Sequence, residues 1–359
     1  MTDNDKLIPT GAESGNACKT ASGAETVSLA AETASLAAET HNPPPERGET
    51  QKPKRKLSDD FFALVKLAGR ALKIFLLDKG AVLFSLLAPL ILLLLYALFL
   101  GDVLFSSVNS ALPPGVNLPD STVKAFIDSW VTSGVMSVGC ITVSLSANTV
   151  MVQDRERGFN RDALVSPVGG GVVTLGYFLY NFVVTLFICS VTLGVCFVYL
   201  AVSGSFLMTA ADVFAVVGIT ALSCLSSTLV NVFISGFFRS NAAFSAFVGL
   251  VSAVIGFLIG AYMPLGILPG YVRALTCFFP GSYSASLFRC FFMRGALSAL
   301  GGTSAEAYSS LASSYAVGFD FFGIPLGVGA TAGILSGTVA LFLVVNILRG
   351  AAAERLYDR

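Results

Sequence analysis

Six stretches of the chain run for about twenty residues with almost nothing but apolar side chains, at about 81–101, 131–152, 173–202, 213–237, 242–263 and 324–348. That is the length an α-helix needs to cross a hydrocarbon layer roughly 30 Å thick. The first is the clearest, with no charge from Ala81 to Leu100, and the second is the weakest, being rich in Ser and Thr. The stretches between them carry predictions of their own. Residues 58–79 put Phe61, Phe62, Leu64, Val65, Ala68, Leu72, Phe75 and Leu76 on a broad apolar face, with a basic stripe of Lys66, Arg70 and Lys73. Ser58, Asp59 and Asp60 offer an N-cap and first-turn acids. This pattern predicts an amphipathic helix lying in the membrane interface, its cations reaching toward headgroups. From 264 to 322, Pro264, Pro269-Gly270 and Pro280-Gly281 alternate with Phe pairs and a Ser/Gly-rich run. Its apolar first half predicts a re-entrant segment shielded by other helices, since unpaired backbone cannot face lipid.

Composition agrees with this reading. The chain is 54% hydrophobic and 12% charged, against about 25% charged in soluble domains, which makes a soluble bundle of buried helices a poor alternative. The predicted fold is all-α integral membrane: six transmembrane helices, an N-terminal interfacial amphipathic helix and a re-entrant outer segment before the last helix. Residues 1–57 read as a disordered, low-complexity cytoplasmic tail, with two near-identical heptads at 24–37 and then Pro43-Pro44-Pro45. One Leu per heptad is too little for a coiled-coil seam. Residues 1–56 also hold no apolar run of the kind a secretory leader needs. Residues 58–350 form the membrane-spanning body, and 351–359 a short cytoplasmic end. Of the 22 Lys and Arg, 18 fall on the side carrying both termini and the 154–171 connector. The positive-inside rule places that side in the cytoplasm of a cell-membrane protein.

The densest charge in the chain runs from Asp154 through Arg155, Glu156, Arg157, Gly158, Phe159 and Arg161 to Asp162, between the second and third spans. Charge of that density cannot sit in hydrocarbon, so a short surface-exposed element is expected. Two spans carry polar stripes at helical spacing: Ser133, Ser137, Cys140, Ser144 and Asn148 in the second, and Thr220, Ser223, Ser227, Asn231 and Ser235 in the fourth. They are candidates for a substrate path, with Ser137, Ser144, Asn148, Ser227 and Asn231 at its centre, or for helix–helix contacts. Gly329, Gly333 and Gly337 form a small-residue face in the sixth, read as packing. The middle of every span is free of Asp, Glu, Lys, Arg and His, whereas ion-coupled carriers and intramembrane proteases need such groups. The sole histidine, His41, lies in the tail, and no cluster has metal-ligand spacing along the sequence, so neither a metal nor a catalytic residue is expected. Nothing points to nucleic acid, and the basic residues near the first span face membrane lipids.

Four features together resemble the permeases of ABC transporters of the ABC-2 type, in their drug-export branch. They are the amphipathic helix before the first span, the Asp154–Phe159 run leading to Leu164-Val165-Ser166-Pro167, Gly260-Ala261-Tyr262-Met263-Pro264 with Leu268-Pro269, and Phe279-Pro280-Gly281-Ser282-Tyr283 with Arg289. The resemblance covers roughly residues 58–350. It implies a non-catalytic permease subunit of an exporter for an amphipathic or hydrophobic cargo, paired with a second permease chain and with separate ATP-binding cassette subunits. Those subunits would bind ATP and Mg2+; this chain, lacking Gly-x-x-x-x-Gly-Lys-Ser/Thr, has no loop to cradle phosphates. It also implies that Asp154 to Asp162 couples the two, with Glu156 and Arg157 as docking contacts, Gly158 permitting a turn and Phe159 as an apolar anchor. An ATP-independent carrier and a membrane scaffold that transports nothing are the rival readings.

Overall fold

The computed structural model describes residues 57–111, 118–159, 169–267, 269–315, 317–321 and 324–357. The predicted tail up to residue 56 lies outside them, as does the end of the connector from Asn160 to Val168. Helix α1, Leu57–Leu77, lies on the bundle as the basic stripe predicts, but with two apolar faces. Ala68, Ala71 and Phe75 are buried, while Phe61, Phe62, Val65 and Leu76 point outward, where an interfacial helix meets lipid. Asp78 then caps α2, Lys79–Leu95, by accepting from the Ala81 amide at 3.0 Å. A π-helical turn at Tyr96–Leu100 leads directly into α3, Gly101–Ala111.

Helices α4, Asp120–Ala147, and α5, Thr149–Glu156, abut at Asn148 and together form a second span of 37 residues. It starts eleven residues before the predicted stretch because its first turns carry Asp120, Lys124 and Asp128. Asp120 and Lys124 are exposed, and Asp128 is tolerated because protein surrounds it: its carboxylate is buried and accepts from the hydroxyls of Tyr199, at 2.9 Å, and Ser205, at 2.5 Å. This span packs against most of the bundle, which is why it needs no lipid-grade hydrophobicity and gave the weakest sequence signal. Around it stand α6, Gly170–Val202, α7, Ala210–Ser235, and α8, Asn241–Leu258. Helix α7 opens on a reciprocal capping box between Thr209 and Asp212, and Asp212 also pairs with Arg294 at 2.9 Å.

The segment before the last span folds into α9, Gly270–Thr276, α10, Pro280–Phe292, α11, Arg294–Thr303, and α12, Ala305–Ser314. Helix α10 is the shielded re-entrant element, inserted against α4 and α7 with Tyr283, Leu287, Phe288, Arg289 and Phe292 buried. Two short strands, β1, Phe319–Phe321, and β2, Ile324–Leu326, pair antiparallel before α13, Val328–Tyr357. The predicted sixth span therefore begins with a strand rather than a helix, and the predicted C-terminal tail is helical as far as Tyr357. Among the described residues, six helices are long and apolar enough to cross a membrane, and the fold is that of an all-α integral membrane protein. An added Cβ on Gly329, Gly333 or Gly337 would meet nothing within 4 Å, so that face does not pack within this chain as the sequence reading expected.

Candidate functional site

The charged connector divides into an inward half and an outward half. Asp154 is 3% exposed, in contrast to the surface position expected for it. Arg70 of α1 grips its carboxylate with both terminal nitrogens, Nη1 to Oδ2 at 2.7 Å and Nη2 to Oδ1 at 3.0 Å. The Tyr177 hydroxyl of α6 donates to Oδ2 at 2.7 Å. A fork-on-carboxylate geometry is the strongest form of charge-assisted hydrogen bond. The bond to Asp154 raises the Arg70 pKa above its already high ordinary value, against the pull of desolvation. Arg70 therefore faces the protein rather than the headgroups, and its guanidinium also lies 4.0 Å from the centroid of the Phe159 ring. That contact half-buries Phe159 within its own chain, where the sequence reading had it reaching into a partner.

Arg155 turns inward as well. Its Nη1 donates to the carbonyls of Ser235, Gly236 and Phe238 at 3.2, 2.7 and 3.0 Å, at the C-terminal end of α7. Arg349 of α13 joins it there, donating to the Phe233 carbonyl at 2.7 Å. Two guanidiniums thus satisfy carbonyls that a helix end leaves without partners, and their charge suits the negative end of its dipole. Among the described residues of the connector, only Glu156 and Arg157 are exposed. Gly158 stops the helix at φ +83° with open space where a Cβ would stand, so backbone conformation alone selects glycine there. Gly158→Val is expected to cost about 1–3 kcal/mol, because a β-branched residue is strained at positive φ. Gly158→Asn should cost much less. Thermal melts of the purified permease in detergent decide between them, and equal melts would remove the backbone argument. Arg161 lies outside the described residues.

The polar stripes of the second and fourth spans meet each other. Asn231 donates to the Ile141 carbonyl at 3.1 Å and to Ser144 Oγ at 3.2 Å, while Asn181 of α6 donates to the Ser144 carbonyl at 2.8 Å. Ser137 is fully buried and donates to the Ser133 carbonyl in its own helix. Asn148 is buried at the α4–α5 junction, its amide without a partner among the described residues. Ser227 and Asn231 also edge a small apolar cavity of about 240 Å3 beside Phe279, Pro280 and Gly281. Of the five candidate path residues, Ser144 and Asn231 are thus joined in a helix–helix contact.

A larger cavity lies on another face of the same helix. It measures about 500 Å3 and is enclosed by α1, α2, α4, α5 and α8. Phe75, Phe84, Leu92 and Leu95 supply apolar wall, and Thr142, Ser146, Thr149 and Gln153 supply a polar stripe. That volume is within the range of small-molecule sites, about 300–1,000 Å3. The stripe has spacings of four, three and four, a helical rhythm that the sequence reading passed over for the more conspicuous Ser-Cys-Asn row.

Two resemblance motifs meet at the other end of the bundle. Arg289, 1% exposed, donates through Nη2 to the carbonyls of Ile259 and Gly260 at 2.8 and 2.6 Å, which end α8. The Tyr96 hydroxyl of the π-turn reaches the carbonyls of Ala261 and Tyr262 at 3.1 and 3.2 Å. The reversal at Gly260, φ +71°, is thereby held from two sides. The profile of the ABC-2 family transporter protein matches residues 106–348, more than half of the 359, from within α3 into α13. A comparison with curated proteins returned no match. With six spans, a re-entrant segment and this match over most of the bundle, the chain belongs to the ABC-2 transporter family and is a permease subunit of an ABC transporter, working with an ATP-binding subunit.

Proposed function

We propose that this permease is the membrane half of an ATP-driven exporter that moves an amphipathic or hydrophobic cargo, such as a drug, a lipid-like molecule or a peptide, across the cell membrane. In this reading two permease chains, identical or not, sit on two ATP-binding subunits that hold ATP and Mg2+, and both termini are cytoplasmic. The carrying observation is the anchored connector. Glu156 and Arg157 are exposed, yet the two residues before them are fixed to α1 and α6 through Asp154 and to the end of α7 through Arg155. A push on the exposed pair therefore moves four elements as one body. Closure of the ATPase would shift the permease between inward- and outward-facing states, and cargo that binds one state better is carried by that shift. The 500 Å3 cavity, apolar with one polar stripe, suits an amphipathic cargo better than the buried Ser/Asn row does.

The test is co-purification with the ATP-binding subunit in mild detergent, together with transport into inside-out vesicles. Glu156→Ala with Arg157→Ala is expected to weaken the association at least tenfold, about 1.4 kcal/mol, and to remove ATP-dependent uptake without changing the permease's own melt. Unchanged association and uptake would sink the coupling assignment. Uptake that survives without any ATP-binding subunit and follows an ion gradient would replace it with a secondary carrier.

A further inference from the structure

Each of α4, α6 and α7 brings one thiol to a single point inside the bundle. Cys140, Cys189 and Cys224 are buried free cysteines whose sulfurs all lie within 4.8 Å of one another, with Cys140 and Cys224 at 3.8 Å. We propose that these three cysteines form an intramembrane site for a soft monovalent metal ion of the Cu(I) class. The inference is independent of the cargo and of the coupling mechanism.

The geometry suits such an ion. Three thiolate sulfurs at the usual metal–sulfur length of about 2.3 Å stand roughly 4.0 Å apart around a trigonal centre. Sulfur-only donors select Cu(I), zinc or iron–sulfur chemistry over hard cations. Zinc takes four ligands in structural sites, or three with a water in catalytic ones, and no carboxylate or histidine joins this group among the described residues. The three thiols belong to the main apolar core. The ion binds the deprotonated sulfurs, so its entry releases protons from the thiols.

Packing alone does not call for the convergence. A buried cysteine behaves as a small hydrophobe, as Cys196 does two turns further along α6, fully buried and outside the group. The polar seam of Ser144, Asn181 and Asn231 begins one turn toward the connector. An occupied site would pin three spans together at mid-membrane.

The test uses the full chain in lipid nanodiscs under a phosphine reductant, with Cu(I) as the probe and bathocuproine disulfonate as the competing chelator. About one Cu(I) per chain should resist the chelator, with thiolate-to-copper absorption in the ultraviolet. X-ray absorption should show sulfur neighbours at about 2.3 Å. C140A, C189A and C224A should each weaken retention by more than the 10–100-fold typical of losing a mere outer-shell partner, and C196A should leave it unchanged. Failure to retain Cu(I), or equal retention by the triple variant C140A/C189A/C224A, overturns the site. Equal retention of Zn(II) overturns the ion class. The spectroscopy on the unaltered chain decides the matter even where a variant fails to fold.

Discussion

Asp154→Ala will destabilise the permease by about 2–3 kcal/mol and will lower ATP-driven transport by more than that loss of stability explains. The figure lies between two limits: an exposed ion pair contributes about 0–1 kcal/mol, and breaking a buried one costs about 3–5 kcal/mol. Asp154 sits at the buried limit with its side chain 4% exposed, and Arg70 tempers it at 39%. The Tyr177 hydroxyl also loses its acceptor. Asp154→Asn keeps the size and one acceptor oxygen and should recover part of the stability. Arg70→Lys should not, because an ammonium cannot grip both carboxylate oxygens. A double-mutant cycle on Arg70 and Asp154, read by thermal melts, should return a coupling of at least about 1 kcal/mol. ATPase stimulation in the reconstituted complex reads the second effect. Full stimulation by a stable Asp154→Ala protein would show that the anchor holds the fold without transmitting force.

Arg289→Ala will have the largest effect on folding, about 3–5 kcal/mol. It removes a charged donor from two buried carbonyls, each such bond contributing about 1.5–3 kcal/mol, and leaves both acceptors dry. It also empties the volume of a long side chain inside α10, among residues that are themselves buried. Arg289→Lys keeps the charge but loses the two fixed N–H groups that Nη2 aims at the carbonyls, and should recover less than half. Tyr96→Phe, which removes a neutral hydroxyl from the neighbouring carbonyls, should cost only about 1 kcal/mol. Yield of monodisperse protein and thermal melts rank the three; an Arg289→Ala protein that melts with the wild type would refute the capping role.

Much of this molecule was legible because the bilayer writes its demands directly into the sequence. Runs such as Ala81–Leu100 announce themselves by length and apolarity, and the Phe61–Leu76 pattern announces an interfacial helix. What escaped was pairing across distance. Asp154 and Arg70 are 84 positions apart, so one read as a solvated charge and the other as a snorkelling one until the fold put them together. The first turns of α4 escaped for the same reason, since Asp128 is acceptable in a span only because Tyr199 and Ser205 satisfy it. The three thiols meet from three helices, and no spacing rule reads across helices. The polar stripe from Thr142 to Gln153 was legible and lost to a better-looking neighbour: several faces of this helix are polar, and only packing tells which one lines a cavity.

The length of the second span has a mechanical meaning. Its 37 residues, at 1.5 Å each, make a rod of roughly 55 Å, against a bilayer of about 40–45 Å with its headgroups. Near Gly134 this rod touches the turn at Ala261 so closely that a Cβ would lie 3.1 Å from the Ala261 carbonyl oxygen. That contact divides the rod into arms of roughly 33 Å on the connector side and 21 Å beyond. Tilting about such a fulcrum moves the two ends in opposite directions. A 3 Å displacement at the connector becomes roughly 2 Å at the far end, so a long, thickly packed helix can carry about two thirds of a stroke across the membrane.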